Sequence, residues 1–228
     1  MMEMQFKHGF GRWLVSLLVI VALSSTVLPV VLAEQTGNNA TKGKLLYEEN
    51  FSSSKGSSWS GDLGGNFSYY FENGKYHLNV NKLNLLKDVS SGQNYNNSIL
   101  EVEATQEAGP NDNIYGVMVR KVDWNNYYLF VISGDGYYCT SKLQNNSWAP
   151  ASWNWKKSSA IQTGNSTNLI RVVSDGDKFS FYVNNIRVDS YTDGSFASGM
   201  IGLTAGTLYT PGAATIGFDN LRIWEIKR

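Results

Sequence analysis

Cysteine and histidine are both scarce in this sequence. The 228 residues contain one cysteine, Cys139, so no disulfide can form within the chain. Its setting, GYYCTSKL, alternates as a strand does and predicts a buried, unreactive thiol. Only one of the two histidines, His77, lies beyond the N-terminal apolar run, and its setting in KYHLNV predicts a solvated strand residue. A Ser-His-Asp or Cys-His enzyme, or a zinc site with several histidines, would therefore depend on one imidazole.

Neither sign of charge is in excess. Lysine and arginine together number 19, and so do aspartate and glutamate. Without residues 1–33 the chain retains 17 basic and 18 acidic residues, a net charge of −1. A near-neutral chain with interspersed charges lacks the basic surface that nucleic acid or anionic lipid attracts. Nucleic acid is therefore excluded as a main partner.

Long apolar runs are absent except for one near the N terminus. Lys7 and Arg12 precede the run WLVSLLVIVALSSTVLPVVLA, which ends at Ala33 with Val31 two positions earlier. This pattern predicts a secretory signal peptide over residues 1–33 that is cleaved after Ala33, and an extracellular or cell-surface location. The competing interpretation is an uncleaved N-terminal membrane anchor, because the run reaches the ~20 residues that span a bilayer. No cysteine stands directly after the run, which excludes a bacterial lipoprotein anchor.

No sustained helical period appears in the rest of the chain. Residues 34–44, EQTGNNATKGK, are polar and turn-rich, which predicts a flexible linker. From Leu45 onward, about a dozen short apolar or aromatic runs alternate with Gly, Asn, Asp and Ser. A dozen strands are too many for a single open sheet in a domain of this size. Residues 45–228 are therefore predicted to form an all-β domain of two packed sheets. The clearest hairpin is DKFSFYVNNIRVDSY, with its turn at Asn184 and Asn185.

The order of these segments resembles a known family. The segments are EENFSSSKGSSW, GKYHLNV, YGVMVRKVDWNNYYLFVISGDGYY, NLIRVVSDGDKFSFYVNNIRVDSYTDGSFASGMIGLTAG and GFDNLRIWE. Together, from Leu45 to Glu225, they resemble the concanavalin A-like lectin/glucanase superfamily, specifically its secreted jelly-roll domains of the 3-keto-disaccharide hydrolase or laminin-G-like type. The resemblance implies an antiparallel two-sheet jelly-roll sandwich. Many members of this superfamily bind carbohydrate and others hydrolyse glycosides, and the fold alone does not choose between them.

Aromatic residues with polar neighbours are the candidates for sugar contacts. Sugar recognition uses flat rings for the apolar sugar face and polar side chains for the hydroxyls. Aromatic residues also fill the core of a sandwich, and burial is predicted for five others: Trp59, Tyr128, Phe130, Phe179 and Phe181. The predicted function is therefore non-catalytic carbohydrate binding, with glycan contacts at Trp124, Trp148, Trp153, Trp155, Arg120 and Asn125.

For three of these candidates, contact with a glycan depends on the local backbone conformation or on the direction of the side chain. Trp153 and Trp155 lie two residues apart in QNNSWAPASWNWKK and would share a face if that segment is extended. Arg120, at the end of YGVMVR, either projects to the concave sheet face or forms a structural ion pair.

Catalysis is the main alternative function. Glucanases of the superfamily carry Glu-x-Asp-x-x-Glu on one strand, and the nearest match here is LEVEATQE. Glu101 and Glu103 share a strand face and are weak catalytic candidates, but Glu replaces the Asp and Glu107 falls one place late. The other interpretation of the pair is a solvated outer face, with Val102 and Ala104 toward the core.

The resemblance also implies a structural calcium ion between the first and last strands. The matching acids are Glu48 and Glu49, before Phe51, and Asp219 in GFDNL. The alternative interpretation is that these acids cap strand ends or hydrogen-bond to turns.

A structural or adhesive surface protein is the third candidate. The glycosylation triplet Asn-x-Ser/Thr occurs six times in this asparagine-rich chain, and such triplets mark surface sites where the host glycosylates exported proteins. The asparagines are Asn39, Asn50, Asn66, Asn96, Asn145 and Asn165.

Overall fold

The computed structural model describes residues 40–55 and 57–228, and within them every regular element is a β-strand. The strands form two antiparallel sheets packed face to face, which confirms the predicted all-β sandwich. Among the described residues there is no helix long and apolar enough to cross a bilayer. The predicted signal peptide lies outside the described residues, as does the linker up to residue 39. Residues 41–44, also predicted to be linker, instead belong to the first strand.

Fifteen strands follow one another along the chain. They are β1 (Thr41–Glu49), β2 (Phe67–Glu72), β3 (Lys75–Val80), β4 (Leu86–Tyr95), β5 (Ser98–Ala108), β6 (Ile114–Asp123), β7 (Asn126–Ser133), β8 (Tyr137–Gln144), β9 (Ser147–Trp148), β10 (Lys156–Lys157), β11 (Thr167–Asp175), β12 (Lys178–Val183), β13 (Ile186–Thr192), β14 (Gly199–Gly206) and β15 (Ala214–Lys227).

The two sheets contain eight and seven strands. The eight-stranded sheet has the order β13-β12-β11-β5-β15-β3-β2, and β1 pairs with the second half of β15. The seven-stranded sheet has the order β10-β8-β7-β6-β14-β4, with β9 paired to β8. Strands β2 and β4 are therefore edge strands of different sheets.

The core lies between the sheets and follows from strand alternation. Because successive side chains point to opposite faces, Val117, Phe130 and Leu203 of the seven-stranded sheet all point inward. Rings bridge the two sheets, as where Phe130 stacks on Phe181 with centroids 4.8 Å apart. Burial of each such side chain contributes about 1.5–3 kcal/mol. The five aromatics predicted for the core are all buried: Trp59, Tyr128, Phe130, Phe179 and Phe181.

A second apolar cluster lies on the outer face of the seven-stranded sheet. Its members alternate with the inward residues along β6, β7 and β8, and include Met118, Leu129 and Cys139. The predicted buried thiol is confirmed, since burial raises the pKa of Cys139 to about 11. At that pKa the thiol stays protonated at neutral pH and is a poor nucleophile.

Sequence patterns predicted twelve of the strands and missed β4 and the two-residue strands β9 and β10. The β12–β13 turn at Asn184 and Asn185 has positive φ at both residues, as the predicted tight hairpin requires. Strand β4, LKDVSSGQNY, is polar and has no apolar alternation. It forms because β14 supplies its hydrogen-bonding partner, a long-range pairing that local pattern does not reveal.

Candidate functional site

A cleft of about 400 Å³ opens where the edge strands β2 and β4 approach the turn between β6 and β7. This volume falls within the ~300–1,000 Å³ of small-molecule sites. Its aromatic lining is Phe67 and Tyr69 from β2 and Trp124 from the turn. Val89 and Met200 add apolar surface, and charged and hydroxyl groups come from Lys87, Asp88, Ser90, Lys121 and Asp123.

The turn that carries Trp124 is held by Asp123. One carboxylate oxygen of Asp123 accepts hydrogen bonds from the Asn125 backbone N–H at 2.7 Å and from the Asn126 side-chain amide at 2.9 Å. This arrangement leaves the Trp124 side chain at the tip, 65% exposed. Of the predicted glycan contacts, Trp124 therefore lines the cleft, and Asn125 is exposed in the same turn.

A buried ion pair lies directly beneath Trp124. The ammonium Nζ of Lys121 is 2.5 Å from Asp88 Oδ2, 3.0 Å from Ser90 Oγ and 3.6 Å from the centroid of the Trp124 ring. The side chains of Lys121 and Asp88 are only 3% and 2% exposed. Gly202 makes room for them, because a Cβ there would lie 2.8 Å from Asp88 Oδ2. Neither charged residue was among those predicted for a site from the sequence.

The other three predicted tryptophans pack on the outer cluster of the seven-stranded sheet. Trp148 and Trp153 meet edge to face with centroids 4.8 Å apart, and the rings of Trp153 and Trp155 are 6.2 Å apart. All three are half-buried, and none lines the cleft at Trp124. Trp153 has a φ of 64° within a turn, so the segment is not extended as the shared-face interpretation required. Their role in binding stays a prediction.

Arg120 lies in the interior, so the expectation that it projects to the concave face is wrong. Its φ is 48°, and its guanidinium lies 4.9 Å from the ring of Phe179 in the core. Nη1 donates to the carbonyls of Gly176 and Phe196 at 2.6 and 2.9 Å, and Nη2 donates to the Asn97 side chain. Its acceptors are neutral oxygens, so the guanidinium joins these loops through hydrogen bonds, and no ion pair with it is found in residues 40–55 and 57–228.

The weak catalytic candidates lie on the outer face of the eight-stranded sheet, not in the cleft. Val102 and Ala104 point into the core, as the non-catalytic interpretation predicted. Glu101 is buried and bonds with Lys42 and Arg171, each at 2.8 Å, so it is not a solvated residue. Glu103 accepts a hydrogen bond at 3.2 Å from the side-chain amide of Asn220.

The acids expected to bind calcium have other partners. Glu48 pairs with Arg222 at 2.6 Å. The two oxygens of Glu49 accept from the Phe51 N–H at 3.1 Å and the Ser57 hydroxyl at 2.6 Å. Partial burial raises the pKa of Asp219, which accepts from the next backbone N–H. Within residues 40–55 and 57–228 no three His, Cys, Asp or Glu side chains are grouped to hold a metal, and calcium at these acids stays a prediction.

His77 is buried, which corrects the expectation of a solvated residue. It points away from the core, but its ring is 3% exposed and stacks on Tyr70 with centroids 5.2 Å apart. Its Nε2 lies 2.7 Å from Glu107, which also pairs with Lys75 at 2.7 Å. Partial burial raises the pKa of Glu107, but the hydrogen bonds from Lys75 and His77 outweigh it and leave that pKa below its usual value.

Comparison with known proteins places the fold. No family model and no curated protein matches the sequence. A carbohydrate-binding module from Bacillus subtilis is 18% identical, with a TM-score of 0.52 over 74% of this chain and 96% of the module. A Bacillus licheniformis beta-glucanase is 14% identical, with a TM-score of 0.58 over 82% of this chain and 100% of the enzyme. A B. subtilis protein of unknown function with a galectin-like fold is 12% identical, with a TM-score of 0.62 over 82% and 99%. At these identities the likeness establishes a jelly-roll fold of concanavalin A-like type.

Proposed function

We propose that this chain is an exported, non-catalytic carbohydrate-binding protein whose glycan occupies the cleft at Trp124. The single observation that carries the proposal is an exposed indole beside two further rings and several hydrogen-bonding side chains in one cleft. A pyranose presents an apolar C–H face that stacks on such a ring and hydroxyls that bond to polar groups at its rim. The similar folds of a carbohydrate-binding module and of glucanases support a carbohydrate partner. The N-terminal apolar run supports export.

The position of Lys121 favours a sugar over a cationic ligand. Aromatic clusters also bind ammonium groups, through attraction to the negative face of the ring. Here an ammonium already lies 3.6 Å from the centroid of Trp124. A second cation on the opposite face would be repelled by the first and would meet a ring that is already polarised. A neutral C–H surface suffers no such repulsion.

Binding is favoured over hydrolysis because the carboxylates in the cleft are already engaged. Most glycosidases need two carboxyl groups that flank the scissile bond, about 5–5.5 Å apart for retention or 6.5–9.5 Å for inversion. Asp88 accepts from Lys121 and Ser90, and Asp123 accepts from its own turn. Glu101 belongs to the other sheet. A glycoside hydrolase of the 3-keto-disaccharide hydrolase type remains the alternative that the assay below examines.

The test is binding of the purified chain to a broad glycan panel, with and without a calcium chelator, while released sugar is measured. Trp124→Ala is expected to weaken binding roughly 30-fold or more, since truncating a central tryptophan typically costs ~2 kcal/mol or more. Tyr209→Ala is the matched control, because Tyr209 is 61% exposed and does not line the cleft. Trp153→Ala and Trp155→Ala are measured singly, because both residues also pack on the outer cluster.

Each outcome separates the candidate functions. Binding without released sugar, lost in Trp124→Ala, supports the proposal, and sensitivity to the chelator adds calcium to it. Released sugar makes the protein a hydrolase and brings Glu101 and Glu103 back as candidates. If the chain binds no glycan and releases no sugar, the proposal is contradicted. That outcome favours a structural or adhesive surface component.

A further inference from the structure

The Lys121 ammonium beneath Trp124 is almost fully buried, yet it contacts the most exposed ring of the cleft. We infer that Lys121, itself held by Asp88 and Ser90, is a positioning residue that fixes the indole of Trp124 for the glycan. This inference rests on the proposed function, because it assigns a role within the same site.

The contrast in exposure is the first observation. A tryptophan that is 65% exposed at a hairpin tip has few neighbours to select one rotamer. Lys121 is fixed, because its Nζ bonds to Asp88 at 2.5 Å and to Ser90 at 3.0 Å in a buried setting. Its contact with the ring, 3.6 Å from Nζ to the centroid, therefore supplies Trp124 with an immobile point of attraction.

A bulge in β6 explains why this lysine is there. Strict alternation from Val117 and Val119, which point into the core, would place Lys121 inward and Arg120 outward. Pairing with β7 is irregular between Val119 and Asp123, and Arg120 has a positive φ. The two side chains consequently exchange sides, since Arg120 reaches the core and Lys121 reaches Asp88 and Ser90. Bulges re-aim side chains in this way near functional sites.

The consequence for binding is preorganisation. A ring already held in its bound orientation loses less conformational freedom when the glycan stacks on it. Ordering a free side chain on binding has an entropic cost, so releasing the ring is expected to weaken binding about 3- to 10-fold. This loss is smaller than that of Trp124→Ala, because the indole itself remains.

The test follows the ring and the affinity separately. The chain is labelled with 5-fluorotryptophan, and Trp124→Phe identifies the Trp124 signal among those of the other tryptophans. The double variant Asp88→Asn/Lys121→Met removes both charges without leaving a lone buried one. Ser90→Ala is a milder second variant, and Lys121→Arg retains the cation. Affinity is measured for β-1,3-glucan, β-1,4-glucan, xylan, mannan and chitin oligosaccharides.

The inference expects the Trp124 fluorine line to narrow in the double variant, because a released ring reorients faster, while the other tryptophan signals keep their width. It also expects affinity to fall 3- to 10-fold there, to fall less in Ser90→Ala, and to recover in Lys121→Arg. An unchanged Trp124 line width, or unchanged affinity with a narrowed line, overturns it. If the wild-type chain binds none of the glycans, the proposed function fails, and the fluorine spectra still decide whether Lys121 fixes the ring.

Discussion

Replacing Lys121 by methionine should strongly destabilise the fold. The substitution keeps most of the side-chain volume but leaves the carboxylate of Asp88, 2% exposed, without its cation. Removing one partner of a buried ion pair typically costs ~3–5 kcal/mol, because the remaining charge stays buried and uncompensated. The Ser90 hydroxyl still donates a hydrogen bond to Asp88 Oδ2 at 2.8 Å, but this bond does not neutralise the carboxylate.

The assay is thermal and urea unfolding followed by near-ultraviolet circular dichroism. For a domain of 150–250 residues, 1 kcal/mol shifts the Tm by ~2–4 °C, so Lys121→Met should lower the Tm by ~6–20 °C. Adding Asp88→Asn to Lys121→Met removes the unpaired buried carboxylate and should restore most of the lost stability. The double-mutant cycle should therefore give a coupling free energy above about 2 kcal/mol. A single variant within 1 kcal/mol of wild type would refute the reasoning, since it would mean that water already solvates the pair.

Three further predictions concern other parts of the sandwich. Partial burial raises the pKa of Asp193, but hydrogen bonds from Lys142 and two hydroxyl side chains outweigh it and hold that pKa well below its usual range. The ionised Asp193 therefore stabilises the fold above its unfolded pKa of ~3.9, and this stabilisation is lost as the pH falls. In urea melts, the free energy of unfolding of Asp193→Asn should approach that of wild type below about pH 4. Glu101→Gln and Glu103→Gln should leave glycan affinity unchanged. Glu101→Gln should lower the free energy of unfolding by about 1 kcal/mol, because its cationic partners are partly exposed. If calorimetry shows that either variant loses affinity, the glycan binds on the eight-stranded sheet and not in the cleft that we propose. Trp153→Ala should cost roughly half of the ~3–5 kcal/mol of a fully buried tryptophan, and a stability equal to wild type would show that its packing on the outer cluster contributes nothing.

Local pattern predicted those parts of the fold in which one strand face is apolar. Strands β3 and β14 have the bounds that their sequences indicate, because their apolar residues must face the core. Strand β4 was missed because its polar residues satisfy no local rule and are ordered only by β14. His77 was placed on the correct face but with the wrong exposure, since its burial arises from Tyr70 on another strand and from Glu107.

The candidate site divides in the same way. Polar neighbours pointed to Trp124, and an exposed ring in a short polar turn is a local property of the chain. Phe67 and Tyr69 could not be assigned to the site from sequence, because the cleft exists only where the edges of two sheets approach one another. The flanking residues of Trp153 were as polar as those of Trp124, yet its ring packs on an apolar surface formed by distant strands. Polarity of neighbours in sequence therefore does not establish exposure.

The errors at Arg120 and the omission of Lys121 have one physical origin. Alternation assigns sides correctly along β6 as far as Val119, and a positive φ at Arg120 then reverses it. Arginine has no special preference for that conformation, so nothing in the residue type marks the reversal. Backbone strain of this kind is retained where the surrounding contacts determine it, and here three hydrogen bonds to the guanidinium do so. The buried arginine that stabilises the bulge is thus what brings Lys121 beneath Trp124, and a residue outside the cleft contributes to the cleft's construction.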